Sequence, residues 1–388
     1  MKILIIEWSS CARDDVEDAF VQEGHSLVRA PFSIEGKTYD DLPEIERQFA
    51  ALLAGEAPDF VFTVNYYPAI SNLCNKYGIR YVSWIYDSPY RRLFSQSVVN
   101  PCNVIYVFDK QLYLECHNAG ISTVHYLPLA SNVERVDAVT ANAPGAGSYK
   151  QDVSFVGSLY LENGSAFIQM KEALPEYAKG YLDALVASQM KIQGYNFIEE
   201  VLGPVIEDMS KAYPLVREPG GIESREYYYS QYVINEWITA IDRIDLLESI
   251  AQNRKVDLFT QCKEYTSPNI MNHGIVDYYT EMPVIFSQSR INLNITRRGI
   301  QSGIPLRAID IMGSGGFLLS NFQADFLDYF VPGEDFVYYD SKADLLRKVD
   351  YYLSHEAERQ AIAKNGHDKV AAAHTYRHRV REMLDGLC

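Results

Sequence analysis

Arg307 and Asp310 stand three residues apart, so on a helix they share one face. A guanidinium there meets phosphate, and a carboxylate one turn on accepts hydrogen bonds from sugar hydroxyls, which suits a nucleotide with its ribose. An intrahelical ion pair is the commoner use of this spacing. The run around them, INLNITRRGIQSGIPLRAIDIMGSGGFLLSNF from Ile291, reads as a buried strand over 291–295, a polar loop with Arg297 and Arg298, and a short helix opening around Ser302. A turn at Gly315 and Gly316 then feeds a second strand at Phe317. Such a unit aims unpaired N–H groups and the positive end of a helix dipole at an anion beyond the strand end. Gly157 and Ser158, after the apolar stretch 153–156, form another candidate phosphate turn.

A second set of polar residues lies nearer the amino terminus. Asp87 follows a very apolar strand and precedes Ser88 and Pro89, where a carboxylate serves either as a base toward a hydroxyl or as the cap of the next helix. Trp8 and Ser9 end the first strand, and an indole there either stacks on a ligand or packs at an interface. Asn65 and Tyr66 carry the same two readings. His273 with Asn269, and His374, sit in loops and fit structural roles better than catalytic ones.

These residues need two scaffolds. Strands at 3–6, 26–29, 60–64, 81–86, 104–108 and 124–127 alternate with helix patterns at 14–23, 44–53, 68–76 and 110–118. Short continuous apolar strands between helices imply a parallel sheet covered on both faces. The polar, Ala/Gly/Pro-rich stretch 133–151 has linker composition. Strands resume at 153–156, 256–259, 284–286, 291–295, 317–319 and 336–338, after a helical segment over 163–252 broken at Pro175, Gly203, Pro214 and Pro219. The expected fold is α/β, two Rossmann-like doubly wound domains facing across a cleft, with a helical insertion in the second. The domains run over 1–132 and 152–370, joined by the 133–151 linker and followed by a terminal helix over 371–388.

Composition narrows the partners. Length favours two domains, since 388 residues exceed one ordinary core. A formal charge of -16 argues against nonspecific nucleic-acid binding or an anionic membrane surface. The six cysteines are scattered, without a CxxC pair or a histidine at metal-ligand spacing, as expected of reduced thiols in a cytoplasmic protein with no bound metal. The opening MKILIIEWSS is too short an apolar run for a membrane span. An oxidoreductase of the dinucleotide type would carry GxGxxG after the first strand, and MKILIIEWSSCARDD does not.

The run GIPLRAIDIMGSGGFLLSNF, with FVGSLY upstream, WIYDSP in the first half and YYLSHEAERQAIAKNGHDKVAAAHTYRHRV downstream, resembles the CgeB-like glycosyltransferases, relatives of family 4 of the retaining sugar transferases. The resemblance implies a GT-B fold, a nucleotide-diphosphate sugar held by the second domain (a UDP-sugar first), and a hydroxyl acceptor held by the first. That acceptor would be a cell-surface polysaccharide or a surface or flagellar protein. It further implies that Asp310 binds ribose and that Ser302 stands where relatives carry a first glutamate. Retention is favoured by the kinship and weakened by Ser302. No DxD motif ends a strand, so no cofactor and no metal is expected. A nucleotide-sugar epimerase or hydrolase, or a noncatalytic nucleotide-sugar-binding protein, are the other readings.

Overall fold

Apolar runs separated by helix formers become two parallel six-stranded sheets. The computed structural model describes residues 1–7, 12–33, 42–161 and 164–387. The first sheet is built from β1 (Lys2–Glu7), β2 (Ser26–Ser33), β3 (Phe60–Val64), β4 (Arg80–Ile85), β5 (Asn103–Val107) and β6 (Val124–Tyr126), in the order β2-β1-β3-β4-β5-β6. The second holds β7 (Gln151–Val156), β8 (Val256–Phe259), β9 (Ile270–Asn272), β10 (Ser289–Asn294), β11 (Leu318–Asn321) and β12 (Val337–Tyr339), in the order β12-β11-β10-β7-β8-β9. In both sheets the strand order reverses beside the first strand, between β1 and β3 and between β7 and β10. Ligands of open α/β sheets collect at such reversals, beyond the carboxyl ends of the strands.

Two compact units follow, one formed by the described residues of 1–130, 217–223 and 374–387, the other by 131–216 and 224–373. In the first, β3 is buried at every position and Trp84 of β4 is wholly enclosed, its indole donating to the Leu127 carbonyl at 3.3 Å. The last helix, Tyr376–Asp385, belongs to this unit: Tyr376 meets the Trp84 ring edge-on at 6.0 Å, and Arg379 donates to the Pro128 carbonyl at 2.9 Å. Glu23 accepts from both Arg377 and Arg381, and this pairing lowers its pKa, the Arg381 hydrogen bond acting most strongly.

In the second unit Val153, Phe155, Leu258, Ile291, Leu293 and Leu319 pack one face of the sheet against Leu246, Leu247 and Ile250 of the helix Asn235–Ala251. The helices between β7 and β8 carry a core of their own around Phe167, Leu182, Ile198, Met209 and Ile238. Their breaks fall at the prolines and glycines that cannot continue a helix.

Three local expectations change. The apolar run 284–286 lies in the helix Met282–Ser287 rather than in a strand, because Pro283 fits the first helical turn and so short a run carries no period of its own. The stretch 133–151 begins with the helix Val133–Ala141, capped by Asn132 accepting from the Arg135 N–H. The helix expected near Ser302 opens at Leu306: Pro305 holds φ −70° and ψ 152° at its cap, and a proline keeps the residue before it out of the helical region.

Candidate functional site

The carboxyl ends of β7 and β10 are joined by an arginine that sequence reading did not single out. Arg243, on the helix Asn235–Ala251 and 2% exposed, donates to the Ile295 carbonyl at 2.7 and 3.1 Å and to the Ser158 carbonyl at 2.5 Å. It has no carboxylate partner among the described residues, and burial lowers its pKa. The Tyr160 ring lies 5.1 Å from its guanidinium carbon and 5.4 Å from that of Arg297. Tyr160 holds φ at +57°, a left-handed conformation costly for a bulky residue and common at ligand sites.

Arg307 completes the group. Its guanidinium lies over the Phe155 ring at 5.0 Å and donates to the Asn294 side chain at 3.2 Å. A Cβ at Gly157 would stand 2.9 Å from the Arg307 Cζ, and Gly157 adopts φ +155°, so only glycine lets the arginine lie along this backbone. Burial of the guanidinium, then the neighbouring Arg243, push its pKa down to about 9, while Asp310 acts in the opposite sense. Arg307 as a residue is half-buried. Arg297 is held by Glu236 at 3.3 Å, and its buried Nε has no partner among the described residues. Three guanidiniums thus converge at the reversal point with one carboxylate bonded among them, an arrangement that favours an anion of about two charges.

The other expected ligands separate into two groups. Arg298 is tied to Asp242 at 2.7 Å, both side chains only 9% exposed, and to the Ile192 carbonyl at 2.9 Å, so it braces the loop instead of facing phosphate. The Gly157 N–H donates to the Phe259 carbonyl, and Ser158 Oγ accepts from the Tyr160 N–H. Gly315 and Gly316 lie at the far end of the helix Leu306–Gly313, where their N–H groups cap it by donating to Met312 and Ile311. A Cβ on Gly316 would meet the Phe286 carbonyl at 2.8 Å, so this glycine serves close packing. None of the glycine N–H groups is available to an anion. Ser302 lies in the loop before the helix, its carbonyl accepting from the Asp325 N–H at 3.1 Å.

Asp310 is 6% exposed and lines a small, shallow recess with Arg135, Tyr278, Met282 and Ser314. Arg135 donates to the Tyr279 carbonyl at 2.9 Å and lies over both tyrosine rings. A second, shallow recess opens beside Arg297, lined among the described residues by Gln193, Asn196, Gln301, Asn321 and Gln323 and by no carboxylate. Its carboxamides are ordered: Asn321 accepts from the Thr296 N–H at 2.8 Å, and Gln323 donates to the Gly303 carbonyl at 3.2 Å. Side-chain amides donate and accept at once, as sugar hydroxyls do.

In the first unit Asp87 is exposed just past β4, and Asn65, past β3, donates to its carboxylate at 2.8 Å. Asn65 holds φ at +60° while its side-chain oxygen accepts from the Tyr86 N–H at 2.9 Å. Tyr66 is fully buried with its hydroxyl 2.7 Å from Ser97 Oγ, so it packs the core instead of lining an open surface. Trp8 and Ser9 lie outside the described residues. His273 bonds Asp257 at 2.7 Å and His374 meets Arg379 at 2.5 Å, both within the framework. Among the described residues no group of three or more metal-ligating side chains converges, and no helix is long and apolar enough to cross a membrane.

A family model described as "Glycosyl transferase-like" matches residues 243–385, a span that starts at Arg243 and includes Arg297, Arg307 and Asp310. No curated protein matches the sequence. Among solved structures, a glycosyltransferase from Rickettsia africae shares 10% identity at a TM-score of 0.56, over 99% of this chain and 97% of its own. A sucrose-phosphate synthase from Thermosynechococcus elongatus aligns at 0.56 with 11% identity, over 99% and 97%. Anabaena Alr3699/HepE in complex with UDP and glucose aligns at 0.53 with 10% identity, over 100% and 99%. The chain therefore has the two-domain GT-B fold, and its second half carries the pattern of a glycosyl transferase-like family.

Proposed function

We propose that the protein is a CgeB-like, cytoplasmic glycosyltransferase that moves a monosaccharide from a nucleoside diphosphate sugar to a hydroxyl acceptor on a cell-surface polysaccharide or protein. The observation that carries this reading is the convergence of Arg243, Arg297 and Arg307 where β7 and β10 part, with Asp310 one turn along the same helix as Arg307. The Anabaena structure of the same fold holds UDP and glucose, which makes a UDP-sugar the first donor to try.

In this reading Arg297 and Arg307 hold the diphosphate and neutralise the charge that develops as it leaves, work that needs no metal ion. Arg243 adds positive charge from beneath and fixes the strand ends. Asp310 accepts hydrogen bonds from the ribose, and the carboxamide recess beside Arg297 takes the sugar. Ser302 supplies no carboxylate there, so Gln301 and Gln323 replace it with neutral hydrogen bonding. Asp87, set by Asn65, acts on the acceptor side, either as the base of an inverting displacement or as an orienting group in a retaining one, which the family kinship favours. Incubation with UDP-, GDP- and TDP-sugars, followed by nucleotide release with and without acceptors, tests the reading. Failure of all three nucleoside diphosphates to bind refutes it, and release without any acceptor points to a hydrolase or epimerase.

A further inference from the structure

A recess of about 480 Å3 in the first unit has no part in the donor site. It runs along the outer face of the helix Pro68–Tyr77, bounded by Leu42 and Glu46 on one side and by the turn Gln96–Val99 on the other. Pro219 and Gly220 close it, supplied by the 217–223 loop that the helical insertion contributes to this unit. That wall is fixed. Glu223, its side chain 1% exposed, pairs with Arg91 at 2.6 Å; the Gln96 N–H donates to the Gly220 carbonyl at 3.0 Å and the Ile222 N–H to Phe94 at 2.9 Å.

The lining specifies the occupant. Among the described residues its charged lining is Glu46 and Lys76, and these are paired with each other, so the described wall carries no net charge. Pro68 and Pro219 present apolar ring surface, while Leu73 is buried in the core. Asn72 and Gln96 are exposed; the Asn72 side-chain oxygen accepts from Asn100 at 3.1 Å, while its NH2 group and the whole Gln96 carboxamide have no partner among the described residues. Apolar ring faces edged by hydroxyls that both donate and accept match this surface. An extended peptide would look for unpaired backbone donors, and the N–H groups of Gln96, Val98 and Asn100 are already bonded. The helix from Pro68 to Lys76 gives roughly 12 Å of wall, enough for a short run of linked sugar rings.

We propose that this recess binds a neutral oligosaccharide, the glycan acceptor of the transfer. The inference rests on the glycosyltransferase reading and narrows its acceptor to a glycan.

The test is calorimetry on the full chain with maltotriose, cellotriose, chitotriose and mannotriose, and with an uncharged Ser/Thr-rich nonapeptide, beside a separate UDP titration. At least one trisaccharide should bind at millimolar concentration, and the double variant Asn72→Ala/Gln96→Ala should weaken it about 30-fold, from two lost hydrogen bonds of about 1 kcal/mol each, with UDP affinity unchanged. A thermal melt matching that of wild type shows that the first unit of the variant is folded. The proposal is overturned if no trisaccharide binds, if the double variant binds the trisaccharide as well as wild type, or if the peptide binds in its place. A wild-type protein that binds trisaccharide and not UDP leaves this recess standing and removes the donor assignment instead.

Discussion

Replacing Arg307 by Met should move binding and stability in opposite directions. In the free protein this guanidinium lies beside Arg243, is bonded among the described residues only to the neutral Asn294 side chain, and has its pKa pushed down by burial and by that second cation. Methionine keeps much of the packing against Phe155 and removes the like-charge repulsion, so the free protein should gain about 1 kcal/mol, a rise of roughly 2–4 °C in Tm for a unit of this size. The diphosphate loses a charged partner in a partly desolvated site, a truncation that costs about 2–5 kcal/mol, or about 30-fold to several thousand-fold in Kd. Calorimetry with UDP and a thermal melt without ligand measure both. A variant that melts lower than wild type and binds UDP within threefold of it would show that Arg307 serves the fold and refute the anion site.

Asp310→Ala should weaken UDP by about 10- to 100-fold, the value of a charge-assisted hydrogen bond to ribose, and should affect a pyrophosphate probe little. Asp87→Asn should leave UDP affinity unchanged; a fall in kcat of about 10²-fold or more marks a base, and a smaller one an orienting group. Arg298→Met should destabilise the second unit by about 3–5 kcal/mol by leaving Asp242 buried without its cation, seen as an early melt with or without UDP. Because Arg381 and Arg377 hold Glu23 below its ordinary pKa, their contribution is complete above about pH 4.5 and is lost as pH falls through the lowered value. Glu23→Gln should therefore flatten the acid limb of a Tm-against-pH profile and leave the neutral region nearly level. Turnover should also survive EDTA.

Strands and most helices were legible because each apolar run is bounded by a proline, a glycine or a polar turn, and β8 and the helix Lys110–Asn118 fall where the pattern puts them. β9 escaped because Ile270–Asn272 is a three-residue edge strand with no run to read, and 284–286 misled because a proline-led apolar turn resembles a short buried strand. In the site, the Arg307 and Asp310 spacing was visible. Arg243 was not: it reaches Ile295 across 52 residues of sequence, and nothing local in a helix rich in acidic residues marks it as the cation that joins two strand ends. The glycines misled in the opposite way. Gly315 and Gly316 look like a phosphate turn, and their N–H groups close a helix instead, a use that depends on where the helix stops.

A crystal structure of the protein with UDP tests the central claim most directly. The account predicts diphosphate oxygens about 2.7–2.9 Å from the guanidinium nitrogens of Arg297 and Arg307, with a ribose hydroxyl on Asp310. A diphosphate bound away from these arginines, with Arg307 still bonded to Asn294, would contradict it.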